Sequence, residues 1–113
     1  MAQEKINPGE VLNLNDLRDE MPKDSTLALV KTPDMEVIRM VLPKGKEITE
    51  HSVDGQISVQ CLKGKITFAT GKKASELSKG DWLYLQRNQT HSLQALADSV
   101  LLVTILFTHD GDK

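Results

Sequence analysis

The sequence predicts an all-β sandwich or barrel, with helix confined to the N-terminal quarter. Three observations carry that expectation. In Ile57-Ser58-Val59-Gln60-Cys61 apolar residues take the odd positions and polar residues the even ones, the period of a half-buried strand. His91-Ser92-Leu93-Gln94-Ala95 alternates in the same way, with His91, Leu93 and Ala95 on one face. From residue 25 onward short strand-like runs recur between glycine turns, and no window there carries a long helical stripe.

The elements follow in order. Residues 1–24 form a polar N-terminal segment and residues 25–113 the barrel domain. Asn7-Pro8-Gly9 reads as a turn. Asn13 to Glu20 reads as a short helix, with Asn15 as N-cap and Pro22 ending it. Strands are expected at Thr26–Lys31, at Met35–Leu42 between Pro33-Asp34 and Pro43-Lys44-Gly45, and at Ile48–Val53 before Asp54-Gly55. The alternating strand turns Ile57, Val59 and Cys61 inward, and Lys63-Gly64 is expected to close a hairpin to Ile66-Thr67-Phe68. Gly71-Lys72-Lys73 is a further turn. Glu76-Leu77 leads through Lys79-Gly80 to a strand over Asp81–Leu85, in which either Trp82 and Tyr84 or Leu83 and Leu85 face the core. Val100 to Phe107 is apolar on both faces, the mark of a central strand. Leu42-Pro43-Lys44-Gly45 and Leu77-Ser78-Lys79-Gly80 echo each other, each followed by a strand and then a histidine. Two similar halves of one barrel would produce that echo, as would chance recurrence of glycine turns.

Composition narrows the function classes. A chain of 113 residues is one domain by default and buries roughly two-thirds of its surface. Hydrophobic residues are 39% and charged ones 27%, too apolar for disorder. Fourteen basic against sixteen acidic residues give a net charge of −2, and aromatics are 4%. Neither a broad basic surface nor a base-stacking platform is expected, so nucleic acid is not an expected partner. The lysine-rich turns, such as Lys63-Gly64-Lys65, read as solvated loop tips. One cysteine excludes an intrachain disulfide and a cysteine-based zinc finger. The start carries no apolar signal core, and the Val100–Phe107 run is too short to span a bilayer. No membrane association and a cytoplasmic location are expected.

The chemistry-bearing residues are histidines. His109 lies near the polar end and is expected to be exposed, whereas His51 and His91 sit in strand segments. A strand histidine is often a hydrogen-bonded structural residue. The surroundings of these two point further. Gly45 is followed after five residues by His51, with Gly64 thirteen beyond it, and Gly80 is followed eleven on by His91. This spacing resembles the two motifs of the cupin superfamily, over about residues 35 to 107. Glu50 to Ile57 and Leu83-Tyr84-Leu85 look like those of small single-domain bacterial cupins. The resemblance implies a double-stranded β-helix, a small antiparallel barrel of the jelly-roll type.

The resemblance also implies a metal position inside the barrel, with four ligands. His51 and His91 stand at the first and last of these, but Val53 stands at the second histidine position and Ile57 at the glutamate position. Gln86 stands where proline is usual and Asn88 where glycine is usual. Neither Val53 nor Ile57 can coordinate a metal, and alternation turns Glu50 and Gln56 away from His51. A bulge could redirect Gln56 or Asp54. Any divalent metal is therefore expected to be held weakly, by His51 and His91 alone.

Three functions compete. The first is a small-molecule site in a mostly apolar pocket formed by His51, Val53, Ile57, Val59, Cys61, His91 and Leu93. The second is a metal-dependent cupin enzyme of dioxygenase or isomerase type with an incomplete centre. The third is a structural or regulatory module acting as a dimer. A homodimer is expected because a chain of this size leaves sheet edges to be covered, with Val11-Leu12-Asn13-Leu14 as a candidate cover for the partner's sheet. Whether any reaction is catalysed stays open at this level, since one fold hosts many activities.

Overall fold

The structure is a computed structural model and describes residues 6–19 and 26–109. One short helix, α1 (Leu14–Asp19), precedes nine strands: β1 (Leu27–Lys31), β2 (Met35–Leu42), β3 (Glu47–His51), β4 (Gly55–Lys63), β5 (Lys65–Thr70), β6 (Lys73–Ser78), β7 (Trp82–Leu85), β8 (His91–Ala95) and β9 (Ser99–Phe107). They form two antiparallel sheets, ordered β1-β2-β9-β4-β7 and β3-β8-β5-β6. The inner faces meet in one core. Ile57, Val59, Leu101 and Val103 come from the first sheet, and Ile66, Phe68, Leu77 and Leu93 from the second. This is a double-stranded β-helix with a short N-terminal helix, the architecture expected from the sequence.

β9 lies between β2 and β4, which makes it the central strand of the five-stranded sheet. Its two apolar faces serve two cores. Leu101, Val103 and Ile105 face the barrel, while Val100 and Leu102 face outward into a second cluster with Leu17, Leu29 and Leu62. Helix α1 closes that second cluster. Leu17 is fully buried there, and its carbonyl accepts a 2.6 Å hydrogen bond from Arg39 Nε. The Ile6 amide bonds to the Leu29 carbonyl at 2.9 Å. The N-terminal segment therefore covers part of the outer face of its own sheet. Leu12 packs into this cluster, while Val11 is 96% exposed.

Several local expectations need correction. The N-cap of α1 is Asn13, not Asn15: its Oδ1 accepts from the Asn15 amide at 2.8 Å, the second helical position. The expected helix end at Glu20 and Pro22 lies outside the described residues. Lys63-Gly64 closes no hairpin, because β4 pairs with β7 and β9 while β5 pairs with β6 and β8. The turn instead carries the chain from one sheet to the other. Alternation identifies a strand's inward face but not its neighbours. The third strand ends at His51, two residues before Val53, because the Val53 carbonyl turns to accept from the amides of Gly55 and Asn88. On β7 the core pair is Leu83 and Leu85, with Trp82 and Tyr84 outward.

Candidate functional site

His51 and His91 are opposite one another on the paired strands β3 and β8. That pairing depends on a bulge. Ile48 faces Leu93 and His51 faces His91, so three steps along β3 match two along β8. Without the extra residue, Ile48 and His51 would point to opposite faces. With it, both line the barrel interior. The two imidazole centroids are 4.2 Å apart with planes inclined at 59°, and Phe68 stacks on His91 at 5.5 Å and 11°.

The interior holds a cavity of about 250 Å³. His51, Val53, Ile57, Val59, His91 and Leu93 line it, six of the seven residues the sequence assigned to a pocket. Cys61 is the exception and does not line it. It is fully buried, and its thiol donates to the Lys63 carbonyl at 3.4 Å, at the opposite end of β4 from Gly55. Burial raises the Cys61 pKa, the reverse of thiolate activation. The sequence assigned Cys61 to the pocket because it shares a face with Ile57 and Val59, but alternation sets the face and not the depth. The sequence reading missed Ile38 and Met40 of β2, Phe68 of β5, and Leu101, Val103 and Ile105 of β9. Their signal was the odd-numbered face of β9 and the even-numbered pair on β2, legible only once those strands are placed beside β4.

His91 is 5% exposed, whereas His51 stands at the open rim. Both rings are fixed in the same way. His51 Nδ1 lies 3.0 Å from the Thr49 carbonyl, and His91 Nδ1 lies 3.0 Å from the Gln89 carbonyl. A carbonyl oxygen only accepts, so Nδ1 carries the proton on each ring, and Nε2 of the neutral ring is an acceptor. Burial pushes the His91 pKa down. The bond to Gln89 opposes this and the neighbouring His51 adds to it. His109 is remote from this pair and lies 2.9 Å from Asp34.

The loop over the rim is also ordered. Arg87 Nε donates to Asp54 Oδ1 at 2.7 Å, and the Asn88 amide donates to the Val53 carbonyl at 3.0 Å. Asn88 adopts φ 60°, a left-handed conformation that asparagine tolerates better than other side-chain-bearing residues. The Gln86 amide donates to Gln89 Oε1 at 3.1 Å, a bond proline could not make.

These positions decide the metal question in terms of donors. Four positions correspond to the ligand set that the motif resemblance implies, and all four line the cavity. Two of them, Val53 and Ile57, are hydrocarbon. Glu50 lines the outer surface of the second sheet and Asp54 is paired with Arg87. Gln56 lies on the outer surface of the first sheet. Among the described residues no group of three histidine, cysteine or carboxylate side chains is placed to hold an ion. The residues present do not fit a four-ligand centre.

Comparison with known proteins agrees with this geometry at the level of the fold. Neither a protein-family profile nor a curated protein matches the chain. Solved structures do. A Streptococcus pyogenes protein of unknown function is 25% identical over 93% of each chain, with a TM-score of 0.76. A cupin superfamily protein from Desulfitobacterium hafniense is 14% identical over 94% of this chain and 97% of its own, also at 0.76. An RmlC-like cupin from Desulfovibrio desulfuricans is 20% identical over 93% and 97%, at 0.66. Barrel and topology together are those of the cupin fold. Within that fold, this chain keeps the outer two histidines of the motif pattern and replaces the inner positions with Val53 and Ile57.

Proposed function

We propose that the protein binds a small, largely apolar molecule inside its barrel. One observation carries this reading: the 250 Å³ cavity is walled by apolar side chains from both sheets, and among the described residues His51 and His91 are its only polar lining side chains. A dry apolar cavity of about 150 Å³ accepts benzene. The volume here therefore suits one ring with a short substituent. The chemistry of Val53 and Ile57 weighs against a metal-dependent dioxygenase or isomerase. A divalent ion would be held by His51 and His91 alone, weakly, and less so as acid protonates them. The single unpaired Cys61 fits a cytoplasmic setting.

Titration with toluene and with phenol, followed by methyl NMR, tests the reading. Signals of Ile57, Leu93 and Val103 should shift together, and Val53→Phe, which narrows the cavity from the rim, should weaken both ligands at least tenfold. Absence of shifts with either compound would overturn it. Stoichiometric zinc binding in parallel calorimetry would favour the enzyme reading instead.

A second reading, a dimeric module, draws on a separate observation. Trp82 and Tyr84 are 60% and 57% exposed on the outer face of the five-stranded sheet, beside Leu106. We propose that a second copy of the chain covers them. No helix among the described residues is long and apolar enough to cross a membrane.

A further inference from the structure

We infer that the ligand of this cavity is an uncharged molecule whose hydroxyl donates a hydrogen bond to Nε2 of His51 or His91, and not a carboxylate, a phosphate or an amine cation. The inference rests on the small-molecule reading above and narrows it to a chemical class.

The tautomers carry the argument. Both Nδ1–H groups are spent on backbone carbonyls, of Thr49 and Gln89, each at 3.0 Å. Each neutral ring then presents a proton-free Nε2. Among the described residues no protein group donates to either Nε2. His91 is 5% exposed, and among the described residues no buried side-chain nitrogen lacks a partner, so its Nε2 stands at the accessible surface of the cavity with no protein donor. An acceptor facing the cavity is satisfied by water or by a ligand donor, and a ligand that fills the cavity displaces the water. Hydrocarbon alone leaves it unpaired.

Charge excludes the other classes. Among the described residues no lysine or arginine lines the cavity, so an anion entering it would lose hydration with no cation from these residues to replace it. Arg87, near the rim, is already bonded to Asp54 at 2.7 Å. Among the described residues no carboxylate lines the cavity either, so an ammonium group would be equally uncompensated by them. The groups facing the two rings from β2, β4, β5 and β9 are apolar, and among the described residues the titratable groups lining the cavity are the two rings themselves. The flat wall of Phe68 stacked on His91 suits a ring.

The test compares four probes of similar size by calorimetry on the wild-type protein at pH 7.5: phenol, anisole, toluene and benzoate. Anisole keeps the ring and oxygen of phenol but carries a methyl group in place of the donor hydrogen, and toluene controls for that methyl. Phenol should bind about fivefold to tenfold more tightly than anisole or toluene, the yield of one hydrogen bond to an acceptor facing the cavity. Benzoate should be the weakest of the four. The preference for phenol should vanish in acid, where a protonated ring donates at Nε2 and no longer accepts. His91→Phe should bring the ratio of phenol to anisole affinity toward one, a ratio in which any change of cavity shape common to both probes cancels. Should that variant fail to fold, His51→Phe at the exposed rim gives the second comparison, and an undiminished preference in both variants would overturn the assignment. Equal binding of phenol and anisole would overturn the donor class while leaving the cavity reading intact. Tightest binding by benzoate would overturn the exclusion of anions. No binding by toluene, anisole or phenol would overturn the small-molecule reading itself.

Discussion

His91 links the site to stability through its protonation. Burial disfavours its charged form, and the bond to Gln89 only partly offsets this. Its pKa is therefore lower in the folded state than in the unfolded chain, where imidazole titrates near about 6.5. Below that value the unfolded chain binds a proton that the folded ring does not yet bind, so acid favours unfolding. The stability that the neutral ring contributes is fully present above pH about 6.5 and is lost as pH falls through the lowered folded value. The melting temperature of the wild type should fall between pH 7.5 and 5.5, a range above most carboxylate titration. His91→Leu should flatten that fall, and an unchanged pH slope in the variant would show that other groups set it. At this scale the sequence was informative where chemistry is local. The spacing of His51 and His91 from Gly45 and Gly80 sufficed to bring two rings to 4.2 Å, and Val53 and Ile57 to the same wall. It was uninformative about depth, which is why Cys61 was placed in the cavity.

At the scale of elements, connections matter more than strands. Gly64 shows this. It adopts φ 86°, and a Cβ on it would fall on the Ser99 hydroxyl and the Asp98 carbonyl oxygen. The turn lies against the start of β9, where the Lys65 amide donates to Ser99 Oγ at 3.1 Å. Gly45 has a nearly identical φ of 89° but open space around its missing Cβ. The two glycines separate backbone strain from packing. Gly45→Ala should cost about 1–2 kcal/mol, the left-handed penalty alone. Gly64→Ala carries that penalty plus displacement of backbone, and should cost about 3–4 kcal/mol or more in urea unfolding. Equal effects would mean that the Gly64 contact relaxes freely. The sequence located Met35–Leu42 and His91–Ala95 with their observed ends because turn residues and alternation coincide there. It misjudged the Lys63-Gly64 connection because pairing is decided by non-local neighbours, here β7 and β9 for β4. The bulge between Ile48 and His51 left no local signature either, since its evidence is the register against β8.

At the scale of the whole molecule, the described residues leave an apolar surface exposed on the five-stranded sheet. On the outer face of the five-stranded sheet, α1 and the segment before it bury the region around Leu29, Leu62 and Val100. Among the described residues, none covers the far part, toward the edge strand β7, in this way. There Trp82 and Tyr84 stack at 6.4 Å, next to Leu106. A stable dimer removes about 800 Å² per partner from water. Two large aromatic side chains supply at most about 300–500 Å² of that. The remainder must come from apolar groups still exposed in the monomer, and Leu106, Leu14 and Val11 are such groups. A two-fold arrangement in which one copy's Val11 and Leu14 meet the other's Trp82, Tyr84 and Leu106 uses every one of these groups twice. It also shields the unpaired edge of β7. Light scattering at high micromolar concentration should then give twice the 12.5 kDa chain mass. Trp82→Ser combined with Tyr84→Ser should give the single-chain mass with an unchanged circular-dichroism spectrum, because both side chains point away from the core. Val11→Asp should weaken association in the same direction without touching the aromatic pair. A wild-type monomer at that concentration would refute the dimer, and a dimer indifferent to all three substitutions would place the interface on another face.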